Sequence, residues 1–298
     1  MNVLLTRMLS KADPSQVPGL SRFFKTGPGQ YGEGDKFLGI KVPVTRAVVK
    51  ECWRSVSFQD LEECITSPYH EVRLAALLAL VEIFSHARKR PPIRSGGTEW
   101  APGVTAAAPE VTPTSCPAPT GHLRQHCVDI YLSHTAWINN WDLVDLSCYP
   151  LLGQWLLDKE DRSLLYDLAR NGRTIWEQRI GIVSTMTFIR NGQLTDTFRI
   201  ADILLHHPHD LIHKAVGWLL REAGKRDKAA LEAWLQGTPD QVGGDGVGTG
   251  GDGSGTGGDA PVIPGPDRVS QMPRTMLRYA IERFPEEERR RYLLEKSR

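Results

Sequence analysis

The sequence predicts an all-α protein built as a solenoid of stacked helical pairs. Three observations carry that expectation. Apolar residues recur near i, i+3, i+4 and i+7 in one segment after another. The breaks between segments are short and contain Gly, Asn, Asp or Pro. No run shows the period-two alternation of a half-buried strand. Repeats of the HEAT type span roughly 40–47 residues, so a chain of this size holds about five or six of them, here too degenerate to align by letter. A bundle packed round one closed core is the alternative architecture.

Taken in order, the elements begin with a Gly-rich loop, GPGQYGEGDKFLGIKVPVTR (27–46), carrying Tyr31, Lys36, Lys41 and Arg46. Loop glycines let backbone approach a ligand closely. HEVRLAALLALVEIFSHARK (70–89) is an Ala/Leu-rich helix with charge at its ends, and INNWDLVDLS (138–147) is a helix that Asn140 can cap. DRSLLYDLAR (161–170), TIWEQRIGIVSTMTFIRN (174–191), LTDTFRIADILLHH (194–207), DLIHKAVGWLLREAGK (210–225) and DKAALEAWL (227–235) follow in close order, each read as one helix.

Two segments interrupt this single repeat domain, which spans 1–298. Residues 91–121 are Pro/Ala/Thr-rich and hold seven of the 20 prolines. Residues 237–267 are Gly/Asp-rich, hold 12 of the 28 glycines and repeat GGDGVGT, GGDGSGT. Both compositions bury too little apolar surface to order themselves and read as loop insertions. Gly248, Gly250 and Gly253 match G-x-G-x-x-G, but no strand precedes and no helix follows at once, so no dinucleotide site is expected. The seven-residue period also misses the nonapeptide of calcium-binding β-rolls.

The 298 residues are 40% hydrophobic and 24% charged, ordinary values for a soluble globular chain. No stretch approaches the roughly 18–20 apolar residues of a membrane span. The N-terminal MNVLLTRMLS is broken by Arg7 and is followed by no small-residue cleavage site, so no secretory signal is expected. Five cysteines without a C-x-x-C support neither a disulfide framework nor a zinc ribbon, and a reducing cytoplasm is the simplest location. Net charge is +1; the two insertions carry −1 and −5, so the remaining 236 residues carry +7. A core of that charge suits a polyanionic partner.

Three helical segments concentrate the chemistry. In the first, Trp141 and Asp145 stand at i, i+4 on one face. An aromatic plate beside a carboxylate can hold a cation. The competing reading is a core tryptophan beside a structural Asp–Arg pair. In the second, Arg179 lies mid-helix among apolar residues. A buried guanidinium has to be paired, either with a carboxylate such as Asp145 or with an anionic ligand. In the third, Trp218 and Arg221 are i, i+3 neighbours, and Lys214 and Lys225 extend the stripe. Such a stripe fits phosphate and sugar contact, or a solvated basic face. His206, His207, His209 and His213 lack H-E-x-x-H and a third carboxylate, so no metal is expected, and neither G-x-S-x-G nor a P-loop is present.

Read together, GEGDKFLGIKVP, EVRLAALLAL, INNWDLVDLS, WEQRIGI and HKAVGWLLREAGK, in that order from about residue 20 to 236, resemble the AlkD-like DNA alkylation repair enzymes, the HEAT-repeat DNA glycosylases; MPRTMLRYAIERF (272–284) is similar to the family's closing helix. The resemblance implies a right-handed superhelix with a basic concave face that holds duplex DNA. It implies excision of cationic alkylated purines such as N3-methyladenine and N7-methylguanine. Trp141 and Trp218 match the active-site tryptophans, Asp145 the catalytic aspartate, and Arg179 the supporting arginine. Arg221 and Lys214 match basic DNA-face positions, which Lys225, Lys41, Arg46 and the aromatic Tyr31 extend. Lys41 stands where some members have Gln. No cofactor is implied, and the expectation is a DNA-wrapping monomer, cytoplasmic and nucleoid-associated when bound.

The implied chemistry is self-consistent. A cationic alkylpurine leaves as a neutral base and needs no general acid, so one carboxylate suffices where glycoside hydrolases usually use two. An anionic Asp145 would stabilise the sugar cation and orient water. Two other classes remain open: a non-catalytic DNA-structure binder and a protein-interaction scaffold on the same helices.

Overall fold

The computed structural model describes residues 2–87, 120–237 and 267–296, and most of them are helical. The helices are α1 (Val3–Leu9), α2 (Val17–Phe23), α3 (Val42–Cys52), α4 (Phe58–Ile65), α5 (His70–Ala87), α6 (Thr120–Ser133), α7 (Trp141–Cys148), α8 (Gln154–Leu156), α9 (Ser163–Asn171), α10 (Ile175–Val183), α11 (Met186–Arg190), α12 (Thr195–Ile203), α13 (Asp210–Arg226), α14 (Lys228–Gln236), α15 (Arg268–Gln271), α16 (Arg274–Ala280) and α17 (Glu286–Glu295). An isolated bridge between Lys36 and Tyr69 is the only extended pairing among the described residues. The two composition-biased insertions fall almost wholly outside the described residues.

Packing follows chain order. A row of helices, α5, α7, α10, α13 and α16, runs through the molecule with each member on the next, while α3, α4, α6, α9, α12 and α14 pack against that row. Neighbour-on-neighbour stacking of helical pairs is how a repeat array buries its apolar faces. α5 shows why: His70 to Leu80 is buried without interruption, and an apolar helix walled on all sides belongs at the centre of a layer. Gly217 sets the α13–α16 approach, since a Cβ there would lie 2.5 Å from the Met276 carbonyl oxygen. None of the described helices is long and apolar enough to cross a membrane.

One expectation needs correction. Residues 174–191 do not form one helix; they break into α10 and α11 at Ser184 and Thr185. Both hydroxyls turn back onto helix carbonyls, Ser184 Oγ donating to Ile180 O at 2.7 Å and Thr185 Oγ1 to Ile182 O at 2.7 Å. Such local bonds offer the backbone an alternative to the helical ladder, and a purely apolar count does not register them.

Candidate functional site

α7 presents its functional face because of how it starts. Asn140 accepts from the Trp141 N–H at 2.9 Å and caps the helix. Leu143, Val144, Ser147 and Cys148 then face the core, which leaves Trp141 and Asp145 on the opposite, half-buried side. α10 crosses behind. Arg179 is the one strong donor on it: Nε and Nη2 donate to Asp145 Oδ1 and Oδ2 at 2.8 and 2.7 Å. Its Nη1 donates to the Leu211 carbonyl at 2.6 Å, so α13 fixes the far edge of the guanidinium. This fork-to-fork pair is among the strong, geometrically specific hydrogen-bonded pairs. The Asp145 side chain retains 15% exposure. Burial holds its carboxyl above the ordinary value; Arg179 opposes that rise, and Asp142 adds to it.

In front of Asp145 lies an aromatic cleft of about 420 Å³, walled by Phe23, Phe24, Phe37, Trp141 and His70 and rimmed by Lys41. Trp141 stacks on Phe24 with centroids 5.6 Å apart, and Phe23 meets it edge-on at 5.8 Å. Phe23 is 59% exposed, a large apolar ring held at the mouth of the cleft. The Gly-rich loop is clamped there by Glu71, whose carboxylate accepts from the Leu38, Gly39 and Ile40 N–H groups at 2.9, 2.9 and 3.0 Å. Gly39 is obligatory in this turn: φ is +84° and a Cβ would sit 1.9 Å from the Asp13 carbonyl oxygen.

The other sequence-predicted residues divide. Arg46 lines an adjoining basic cleft of about 460 Å³ with Lys50, Arg54 and Tyr149, and Leu146 is shared between the two clefts. Trp218 lines a separate hollow of about 370 Å³ with Arg190, Lys225 and Arg226. Arg190 stacks on Tyr149, 4.7 Å from the ring, and so connects that hollow to the end of α7. The two tryptophans therefore belong to different hollows along the helix row. Tyr31 packs edge-on against Trp176 at 5.9 Å. Lys214 is paired with Asp210 at 2.7 Å, and that carboxylate, with smaller effects from Tyr279 and Tyr31, holds its ammonium above the ordinary value. Arg221 is not a free phosphate ligand: it ion-pairs with Glu282 and Glu222, tying α13 to the residues after α16. Lys225 also contacts Glu222, at 2.8 Å.

The histidines after α12 serve backbone. His209 accepts from the Leu211 N–H at 3.1 Å as the cap of α13, and His207 accepts from the His209 N–H at 3.0 Å. Among the described residues no group of three or more His, Cys, Asp or Glu is placed to hold a metal.

Sequence reasoning missed a buried charged cluster behind Trp141. His70 lies between Asp35 and Asp142, and Arg73 bonds Asp35 at 2.6 Å. The signal was present in HEVR, three ionisable residues opening a helix whose next seven residues are all apolar.

A family model described as "DNA alkylation repair enzyme" matches residues 4–284. A solved structure described as a "Predicted DNA alkylation repair enzyme from Enterococcus faecalis" is similar over 75% of this chain and 88% of its own, with 14% identity and a TM-score of 0.50. At that identity the likeness speaks for the fold. No curated protein matches the sequence.

Proposed function

The chain belongs to the DNA alkylation repair enzyme family, and from that premise we propose that it is a DNA glycosylase for positively charged alkylated purines. The substrates are N3-methyladenine and N7-methylguanine in duplex DNA, the bond hydrolysed is the N-glycosidic bond, and the product is an abasic site. The observation that carries this reading is Asp145: one carboxylate, gripped by Nε and Nη2 of Arg179, partly open at the floor of an aromatic cleft.

The chemistry follows from charge. As the bond to a cationic purine breaks, positive charge passes to the deoxyribose and the base departs neutral. A carboxylate already fixed in place stabilises that charge without reorganising, which is the main lever of electrostatic catalysis. Burial raises the Asp145 carboxyl above its ordinary value, and the charge and hydrogen bonds of Arg179 pull against that rise. The carboxylate oxygens also orient water for attack at the sugar. The π faces of Trp141 and Phe23 favour a cationic nucleoside over a neutral one. Lys41 and Arg46, on the rims of neighbouring clefts, supply phosphate contacts along the strand. No cofactor is required, and the protein acts as a monomer.

A second reading, a non-catalytic DNA-structure binder, draws on the same Asp145–Arg179 pair taken as structural. One experiment separates them. Asp145→Asn will bind methylated duplex like the wild type but generate no alkali-labile sites. Equal site formation by both proteins, or binding lost in step with activity, defeats the glycosylase assignment.

A further inference from the structure

Behind the aromatic cleft lies a charge cluster that the reaction above does not use. His70 Nδ1 donates to Asp35 Oδ2 at 3.0 Å and Nε2 to Asp142 Oδ2 at 2.8 Å. With a carboxylate at each nitrogen the ring carries both protons. The three side chains are 1%, 3% and 4% exposed. Asp35 has a second cation in Arg73, which also donates to Asn139 at 3.1 Å. Among the described residues His70 is the one cation paired with Asp142, whose other oxygen is buried without a partner. Asp142 stands three residues before Asp145 on α7, and its charge acts on Asp145. The His70 ring also backs Phe24, centroids 4.7 Å apart, and Phe24 carries Trp141.

We propose that His70 is a positioning residue for Asp145: it joins the Gly-rich loop to α7 beneath the cleft and neutralises Asp142, so that Asp145 faces Arg179 without a second bare carboxylate beside it. The proposal rests on the reading of Asp145 as the group that meets the sugar. Asp145 is faced by Arg179 from α10, by Asp142 on its own helix, and by His70, Glu71 and Lys41 in the lining of the shared cleft. His70 is faced by Asp35 from the loop, Asp142 from α7, and Arg73 and Glu71 on its own helix. Remove the imidazolium and Asp142 becomes an uncompensated buried anion, which makes ionisation of Asp145 harder.

A charge cycle tests this: wild type, His70→Gln, Asp142→Asn and the double variant. Two quantities are followed against pH: the Asp145 carboxyl signal of the free protein by carbon-13 NMR, and the single-turnover release of base from methylated duplex. His70→Gln will move the Asp145 titration, and the acid limb of the rate, to higher pH. Asp142→Asn will move both lower. The double variant, a neutral pair replacing a compensated one, will return them close to wild type. A His70 that only supports packing would lower the rate equally at every pH and leave the Asp145 titration unmoved, and that result overturns the proposal. Should His70→Gln fail to fold, Asp142→Asn carries the test, and a titration unmoved or raised overturns it. Carboxyl shifts as expected without any base release by wild type would sink the glycosylase reading while leaving control of Asp145 by His70 supported.

Discussion

Raising the pH through the His70 transition will loosen the fold, and the amount can be worked from one imidazole. Burial opposes its charge, but the carboxylates of Asp142 and Asp35 outweigh burial and lift the ring from 6.5 to about 9. A group whose folded value is raised stabilises fully below its unfolded value, and that stabilisation drains away as pH climbs through the folded value. The window is therefore 6.5 to about 9. At about 1.4 kcal/mol per tenfold change in proton activity, the contribution amounts to about 3 kcal/mol, a sizeable part of a typical domain's stability. The assay is urea unfolding of wild type and His70→Gln at a series of pH values across the window. Subtracting the variant removes the lysines, tyrosines and other histidines that also titrate. The wild-type advantage will be largest below pH 6.5 and smaller by about 3 kcal/mol above the upper edge of the window. A difference that stays constant with pH, or grows with it, refutes the argument that His70 is charged between its two carboxylates.

Other outcomes follow from the same geometry. Arg179→Lys keeps the charge but loses the fork on Asp145, and a displaced carboxylate will slow single-turnover base release by about a hundredfold with little change in duplex affinity. Arg179→Gln, which leaves Asp145 buried and unpaired, will cost roughly 3–5 kcal/mol in chemical unfolding. Single Gln replacements of Lys41 and Arg46 will each reduce the slope of log affinity against log salt by about 0.9 for undamaged duplex. Arg221→Gln will leave that slope near wild type, because its guanidinium already rests on Glu282 and Glu222; a full drop of about 0.9 would return Arg221 to the DNA face.

Much of this arrangement was legible in the sequence because the signals were local. The buried course of α5 is visible in an unbroken apolar run, and the Asn140 cap in a single residue ahead of Trp141. A lone guanidinium in an apolar helix demands a carboxylate or an anionic ligand, Asp145 was one of those two partners, and bidentate bonds to it close the demand. What escaped was non-local. His70 meets partners 35 and 72 residues away, a pairing no periodicity encodes. Glu71 binds three loop amides rather than a charged side chain, so its charge gave no hint of a partner. Arg221 read as part of a basic stripe because Glu282, which claims it, lies 61 residues further on. The break at Ser184 and Thr185 was hidden in two hydroxyls inside an otherwise helical pattern.

The central claim is that the alkylated base leaves whole, with Asp145 supporting the sugar as it departs. Duplex DNA carrying N7-methylguanine, incubated with wild type or Asp145→Asn and analysed by mass spectrometry of both the released material and the strand, addresses it directly. The account predicts free N7-methylguanine and an abasic strand with wild type, and neither with the variant. A strand restored to unmodified guanine with no free base, or equal release by both proteins, would contradict it.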